Sequence, residues 1–146
     1  PADDSARLHG NLLHDLLAHL ADASQADSVL SQYLATHSLT DEQQATLRET
    51  LHTLLAHPDG ALFFHPDHPA RRETELIFHG DILRPDRIVE TPTALQVVDF
   101  KTGIPRPEHR DQVQRYCQAM TDMGYPSVEG YLLYISRQQC QSLRVV

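Results

Sequence analysis

Leucines near the start of the chain recur three and four positions apart: Leu8, Leu12, Leu13, Leu16, Leu17 and Leu20. That spacing predicts an amphipathic helix over residues 4–23, with His14 set inside its apolar stripe. A second helix is expected over residues 24–37, turning Val29, Leu30, Tyr33 and Leu34 inward. A third begins after Thr40, because Thr40-Asp41-Glu42-Gln43 reads as a capping box. Leu47, Leu51, Leu54 and Leu55 form its stripe, and Pro58-Asp59-Gly60 ends it. Residues 57–69 carry three prolines and the histidines His57, His65 and His68. They read as a solvated loop anchored by Leu62, Phe63 and Phe64, since the histidines match no zinc-ligand spacing.

Beyond residue 70 the period shortens to that of strands. Residues 71–79, 82–90 and 94–101 alternate in the manner of a three-stranded antiparallel meander, with a hairpin turn at Gly80-Asp81 and a second turn at Thr91-Pro92-Thr93. Thr102-Gly103-Ile104-Pro105 breaks the third strand. A helix over residues 108–123 and two further strands, 128–135 and 140–146, complete the pattern. The helix is expected to cross over from the third strand to a parallel neighbour. The Tyr- and Leu-rich first strand of that final pair is expected to lie centrally. The fold class is therefore α/β (α+β), a mixed sheet flanked by helices, with a helical segment leading it.

Charges interrupt this apolar pattern in one place. Side chains two apart on a strand share a face, so Asp99 and Lys101 stand together, and antiparallel pairing brings Asp86 to the same patch. Burying two carboxylates and an ammonium without compensation costs several kcal/mol. A hard divalent cation is the natural partner, because carboxylate oxygens are its preferred ligands. Lys101 is also the chain's only lysine among 12 basic residues.

The stretches Arg84-Pro85-Asp86-Arg87-Ile88-Val89 and Val98-Asp99-Phe100-Lys101-Thr102-Gly103, followed by His109, Gln112 and Tyr116, resemble the PD-(D/E)xK nuclease superfamily. They are most similar to the RecB-type nuclease domains at the C-terminal ends of UvrD-family helicases. The resemblance implies a restriction-endonuclease-like core over residues 71–146, with residues 1–70 as the N-terminal helical segment of the same compact domain. It implies a Mg²⁺ or Mn²⁺ site built from Asp86, Asp99, His14, Glu73 and the carbonyl of Phe100. It implies catalytic roles for Asp86, Asp99, Lys101, Gln112 and Tyr116. Lys101 acts there as general base or as electrostatic clamp. Gln112 orients a water or meets a phosphate, and Tyr116 stacks on or hydrogen-bonds to the DNA. Arg84, Arg87, Arg110 and Arg115 are the expected DNA contacts.

Composition bounds these readings. The chain has 146 residues and a formal net charge of −8, which argues against tight non-specific nucleic-acid binding. Ten of the 12 basic residues nevertheless follow residue 70, beside the acids. Two cysteines make neither a disulfide framework nor a four-cysteine cluster, and a reducing, cytoplasmic setting is expected. No apolar run approaches the roughly 20 residues of a membrane span. A start at Pro1 suggests a piece of a longer chain with helicase domains as partners. Three readings stand: a metal-dependent DNA nuclease, an exonuclease tail of a helicase–nuclease in repair or recombination; a catalytically inactive module of the same fold that binds DNA or braces a helicase; and a stand-alone endonuclease.

Overall fold

The computed structural model describes residues 2–146, with side chains from residue 4. Helix α1 (Ala2–Ala18) buries Leu13, Leu16 and Leu17, as the leucine spacing predicts. It ends earlier than that spacing suggests. Leu20 is still buried, but its carbonyl and that of Ala21 accept from a guanidinium instead of extending the helix. A 3-10 turn over Ala23–Gln25, capped by Asp22, leads into α2 (Ala26–Thr36). Helix α3 (Asp41–Ala56) opens with the expected capping box. Gln43 N donates to Thr40 Oγ1 at 3.1 Å, and Thr40 N donates to Gln43 Oε1 at 2.9 Å.

Residues 57–69 hold more structure than a plain loop. Helix α4 (Pro58–Ala61) starts on a proline, whose missing N–H is not needed there. The 3-10 turn Leu62–Phe64 then drives Phe63 and Phe64 into the core.

Strand β1 (Ala70–Arg72) is followed by β2 (Leu76–Phe78), β3 (Asp81–Leu83), β4 (Arg87–Glu90) and β5 (Leu95–Lys101). Helix α5 (Pro107–Asp122), β6 (Val128–Ile135) and β7 (Cys140–Arg144) complete the chain. The main sheet runs β1-β4-β5-β6-β7, and β5 and β6 pair in parallel across α5 while the other pairs are antiparallel. The crossover helix and the central place of β6 are thus as expected. Helices α1 to α3 cover one face, where Leu13, Leu16, Leu47 and Leu54 meet Val89, Val98, Phe100 and Leu133. Helix α5 covers the other, setting Val113, Tyr116 and Met120 against Ile88, Val97 and Leu132. With both faces covered, β5 is buried along Gln96 to Phe100, as a central parallel-paired strand must be.

The continuous meander is corrected. The chain leaves β1 at Glu73, whose φ of 54° is left-handed, and β2 and β3 pair with each other in a separate two-stranded sheet. Leu76 and Leu83 on one face of this hairpin pack with the residues of α5, which draws the hairpin out of the main sheet. Its turn is His79-Gly80, with φ of 50° and 83°. That double positive φ defines a type I′ hairpin, so Asp81 is a strand residue and not part of the turn.

Arg87 is a second correction. Expected at the DNA, it is 1% exposed. Its Nε donates to Phe63 O at 2.8 Å, Nη1 to Leu20 O at 2.7 Å, and Nη2 to Ala21 O. The guanidinium carbon lies 4.1 Å from the Phe64 ring centroid. Arg87 therefore ties the end of the α1 segment and the Leu62–Phe64 turn to β4.

Candidate active site

The register of the sheet dictates where the acids fall. Arg72 pairs with Arg87, and Arg87 with Val98. One step further along each ladder puts Glu73 opposite Asp86 and Asp86 opposite Asp99. The three acids thus lie in a row where β1 stops and β4 begins, beside the C-terminal end of β5. The Glu73 amide still donates to the Asp86 carbonyl, at 3.4 Å. Ladder partners exhausted, the Asp86 side chain takes over, and its Oδ2 accepts from the Phe100 amide at 2.8 Å.

His14 reaches this spot from α1. Its Nδ1 lies 2.8 Å from Gly10 O, one helical turn back. Its Nε2 lies 2.9 Å from Phe100 O and 3.3 Å from Asp86 Oδ2. Gly10 serves twice, because a Cβ there would stand 2.8 Å from Thr102 Oγ1. Only glycine lets α1 lie against the residue that follows β5, and its carbonyl orients the imidazole. On the other side of β5, Lys101 Nζ donates to Asp99 Oδ2 and to Gln112 Oε1, each at 2.8 Å.

Electrostatics confirm that this is a strained cluster of charge. Burial raises the Asp99 carboxyl, the neighbouring Asp86 charge and hydrogen bond raise it further, and Lys101 offsets them only in part, leaving it at about 7. Burial also acts to raise Asp86, but its hydrogen bonds to His14, Asp99 and the Phe100 amide, with the His14 charge, hold it below the usual carboxylate range. The hydrogen bond to Asp86 outweighs burial at His14 and lifts the imidazole to about 9. Glu73 is raised, first by burial and then by the Asp86 charge.

Among the described residues no three His, Cys, Asp or Glu side chains stand ready as a metal cage. Of the expected ligands, the His14 imidazole, one Asp86 oxygen and the Phe100 carbonyl stand together, and the side chains of Asp99 and Glu73 do not complete a cage with them. Adjacent ligands of an octahedral ion with bonds of ~2.1 Å lie about 3.0 Å apart. The 2.9 and 3.3 Å separations of His14 Nε2 from Phe100 O and Asp86 Oδ2 are of that size. The Asp86 and Asp99 carboxylates, on neighbouring strand segments, add the charge that a hard divalent ion requires. The residues fit such an ion, and Nδ1–H donation to Gly10 O would leave Nε2 as the ligand nitrogen.

The remaining expected residues divide. Gln112 touches Lys101. Tyr116 is 4% exposed and packs in the core under α5, so its ring is not free to stack on DNA. Burial raises its phenol pKa, and the Asp99 and Asp86 charges act in the same sense. Arg84 and Arg115 line a cleft beside Gln112 with Ile82 and His109, but each is engaged: Arg84 with Glu75 at 2.5 Å and Arg115 with Asp81 at 2.9 Å. Arg110 is exposed on α5. Gly10 and His14, one helical turn apart, form the glycine–histidine helix that the resemblance implies, and the Gly10 carbonyl meets the imidazole.

A mixed five-stranded sheet behind an N-terminal helical layer is a fold consistent with a nuclease superfamily. The chain belongs to the PD-(D/E)XK nuclease superfamily, whose sequence profile matches residues 1–139. A solved structure titled "Crystal structure of SSO0001" aligns over 97% of this chain and 76% of that one, with 17% identity and a TM-score of 0.39. A search of curated proteins found no match. No helix among the described residues is long and apolar enough to cross a membrane.

Proposed function

We propose that this chain is a metal-dependent deoxyribonuclease that hydrolyses phosphodiester bonds, and that it serves as the exonuclease domain of a UvrD/RecB-like helicase–nuclease in DNA repair or recombination. The observation that carries the reading is the convergence of His14, Asp86 and the Phe100 backbone in one hydrogen-bonded group, with the Lys101–Asp99 pair on the residues either side of Phe100. The helicase context is supported by the order of motifs, from the His14 helix through Pro85-Asp86 and Asp99-Phe100-Lys101 to Gln112 and Tyr116. The two free, buried cysteines agree with a reducing cytoplasm.

In this reading Asp86, Asp99, His14 and the Phe100 carbonyl hold Mg²⁺ or Mn²⁺, with Glu73 at the margin. The bound ion would supply positive charge to the scissile phosphate and make water a better nucleophile. An ammonium has three N–H bonds. Two of those on Lys101 go to Asp99 and Gln112, which leaves one for the phosphate or the attacking water. Both fixed contacts are acceptors, which favours a clamp over a base. Gln112 fixes the Lys101 head group through Oε1, which leaves its amide N–H groups for a substrate oxygen. Arg110, and Arg84 and Arg115 on exchange of their surface partners, would meet flanking phosphates. Such exposed pairs are worth only ~0–1 kcal/mol and exchange readily.

The test is cleavage of end-labelled DNA by purified protein with and without Mg²⁺ or Mn²⁺. Divalent-dependent cleavage that Lys101→Ala abolishes, with folding intact, is expected. Cleavage by the parent no greater than by Lys101→Ala contradicts it and leaves a non-catalytic module. Preference for DNA with free ends separates the exonuclease from a stand-alone endonuclease.

A further inference from the structure

A second cleft, of about 270 Å³, is lined by Lys101 and shares His109 with the Arg84/Arg115 cleft. It lies between α1 and the segment after β5, and Arg7, Asn11, Thr102, Ile104, Arg106 and His109 line it. We propose that this cleft is a nucleotide subsite, in which Arg7, Asn11 and Arg106 hold the DNA phosphate adjacent to the scissile one while Ile104 packs against its sugar or base. The proposal rests on the nuclease reading and adds that the bound strand continues past the cut on the α1 side.

Three independent features point the same way. First, the charges differ from those of the Arg84/Arg115 cleft. Arg84 and Arg115 are held by Glu75 and Asp81, whereas among the described residues neither Arg7 nor Arg106 forms an ion pair. Second, the first turn of α5 borders the cleft through Arg106 and His109, so the positive end of a 16-residue helix faces it. The His109 ring is fixed there by Tyr134, whose hydroxyl lies 2.9 Å from Nδ1, and Nε2 is then the N–H donor left for a ligand. Third, Ile104 is 73% exposed at the rim, an apolar surface beside donors of the sort a nucleotide presents in reverse. The cleft is small beside the roughly 300–1,000 Å³ of most small-molecule sites. That suits one nucleotide unit of a chain passing through. His14, Phe100 and Lys101 line it too, so its occupant is contiguous with the reacting group.

Binding of a fluorescent oligothymidylate, measured by anisotropy in chelator across a salt series, tests the subsite without cleavage. Replacing both arginines (Arg7→Gln with Arg106→Gln) is expected to weaken binding ~10-fold or more and to flatten the log–log salt slope by about 1.4, two single-strand phosphate contacts at ~0.7 each. Arg48→Gln, on the remote exposed face of α3, is the control for bulk charge and is expected to leave both unchanged. An unaltered slope in the double variant, or an equal loss in Arg48→Gln, overturns the proposal. The adjacent position is tested by cleavage. An uncharged methylphosphonate placed next to the scissile linkage should slow the parent ~10-fold, as loss of a phosphate contact does, and should add little in the double variant. Equal slowing in both also overturns it. Failure of the parent to cleave any DNA would instead remove the nuclease reading, and the subsite would then stand or fall on the salt slope.

Discussion

Asp99 is the residue with the most at stake. It is buried against Asp86 and is held at about 7, well above the usual carboxylate value, so charging it in the metal-free fold is costly. Its folded pKa lies above its unfolded one. The folded state therefore binds the extra proton, and stability falls as pH rises through the window from about 4 to about 7. His14 acts in the same sense at higher pH. Its stabilisation is complete below 6.5 and is lost as pH rises through about 9. Thermal melts in chelator are thus expected to show falling stability from pH 5 to pH 9, and saturating Mn²⁺ to raise the melting temperature more at pH 8 than at pH 6. A flat profile in chelator contradicts the assignment. Asp99→Asn removes the charge and is expected to stabilise the metal-free protein at pH 8 by ~1–3 kcal/mol while abolishing cleavage. Lys101→Ala is expected to lower kcat by at least ~10²–10³-fold, the scale for loss of one transition-state donor, and to lower the melting temperature at pH 8, where Asp99 is left buried without its cation.

At the scale of elements, the Arg87 bridge sets how α1 meets the sheet, and so where His14 arrives. Arg87→Lys cannot reproduce three donors in a plane. It is expected to cost on the order of 2–4 kcal/mol, read as a lower denaturant midpoint at unchanged m. A loss under ~0.5 kcal/mol, the scale of an ordinary surface substitution, would refute the bridge. This bridge was not legible in the sequence. Arg84 and Arg87 look alike in Arg84-Pro85-Asp86-Arg87, and what separates them are carbonyls 24 to 67 residues away. The β2–β3 excursion was hidden for a related reason: alternation marks strands but does not say which sheet they join, and Glu73 had to adopt a left-handed φ to leave the first. By contrast the leucine stripe, the Thr40 capping box and the two-residue step from Asp99 to Lys101 were readable, because each depends on local spacing alone. The anchoring of residues 57–69 was readable for Phe63 and Phe64, which are buried, but not for Leu62, which is 48% exposed. The short α4 was hidden because proline and histidine around it argued for a loop.

Across the whole molecule, ten of 12 basic residues lie after residue 70 in a chain of net charge −8. Several are consumed within the fold: Arg87 inside it, and Arg71, Arg84, Arg115, Arg137 and Arg144 beside carboxylates. DNA affinity of the chain is therefore expected to be weak and strongly salt-dependent. Every functional step in this account passes through one spot, the junction of β4, β5 and α1. The most direct measurement is anomalous diffraction from crystals soaked in Mn²⁺. A peak is expected within bonding distance of Asp86, Asp99 and the Phe100 carbonyl, with His14 Nε2 turned to it. A peak elsewhere, or Mn²⁺ bound without Asp86 and Asp99 among its ligands, would contradict the site.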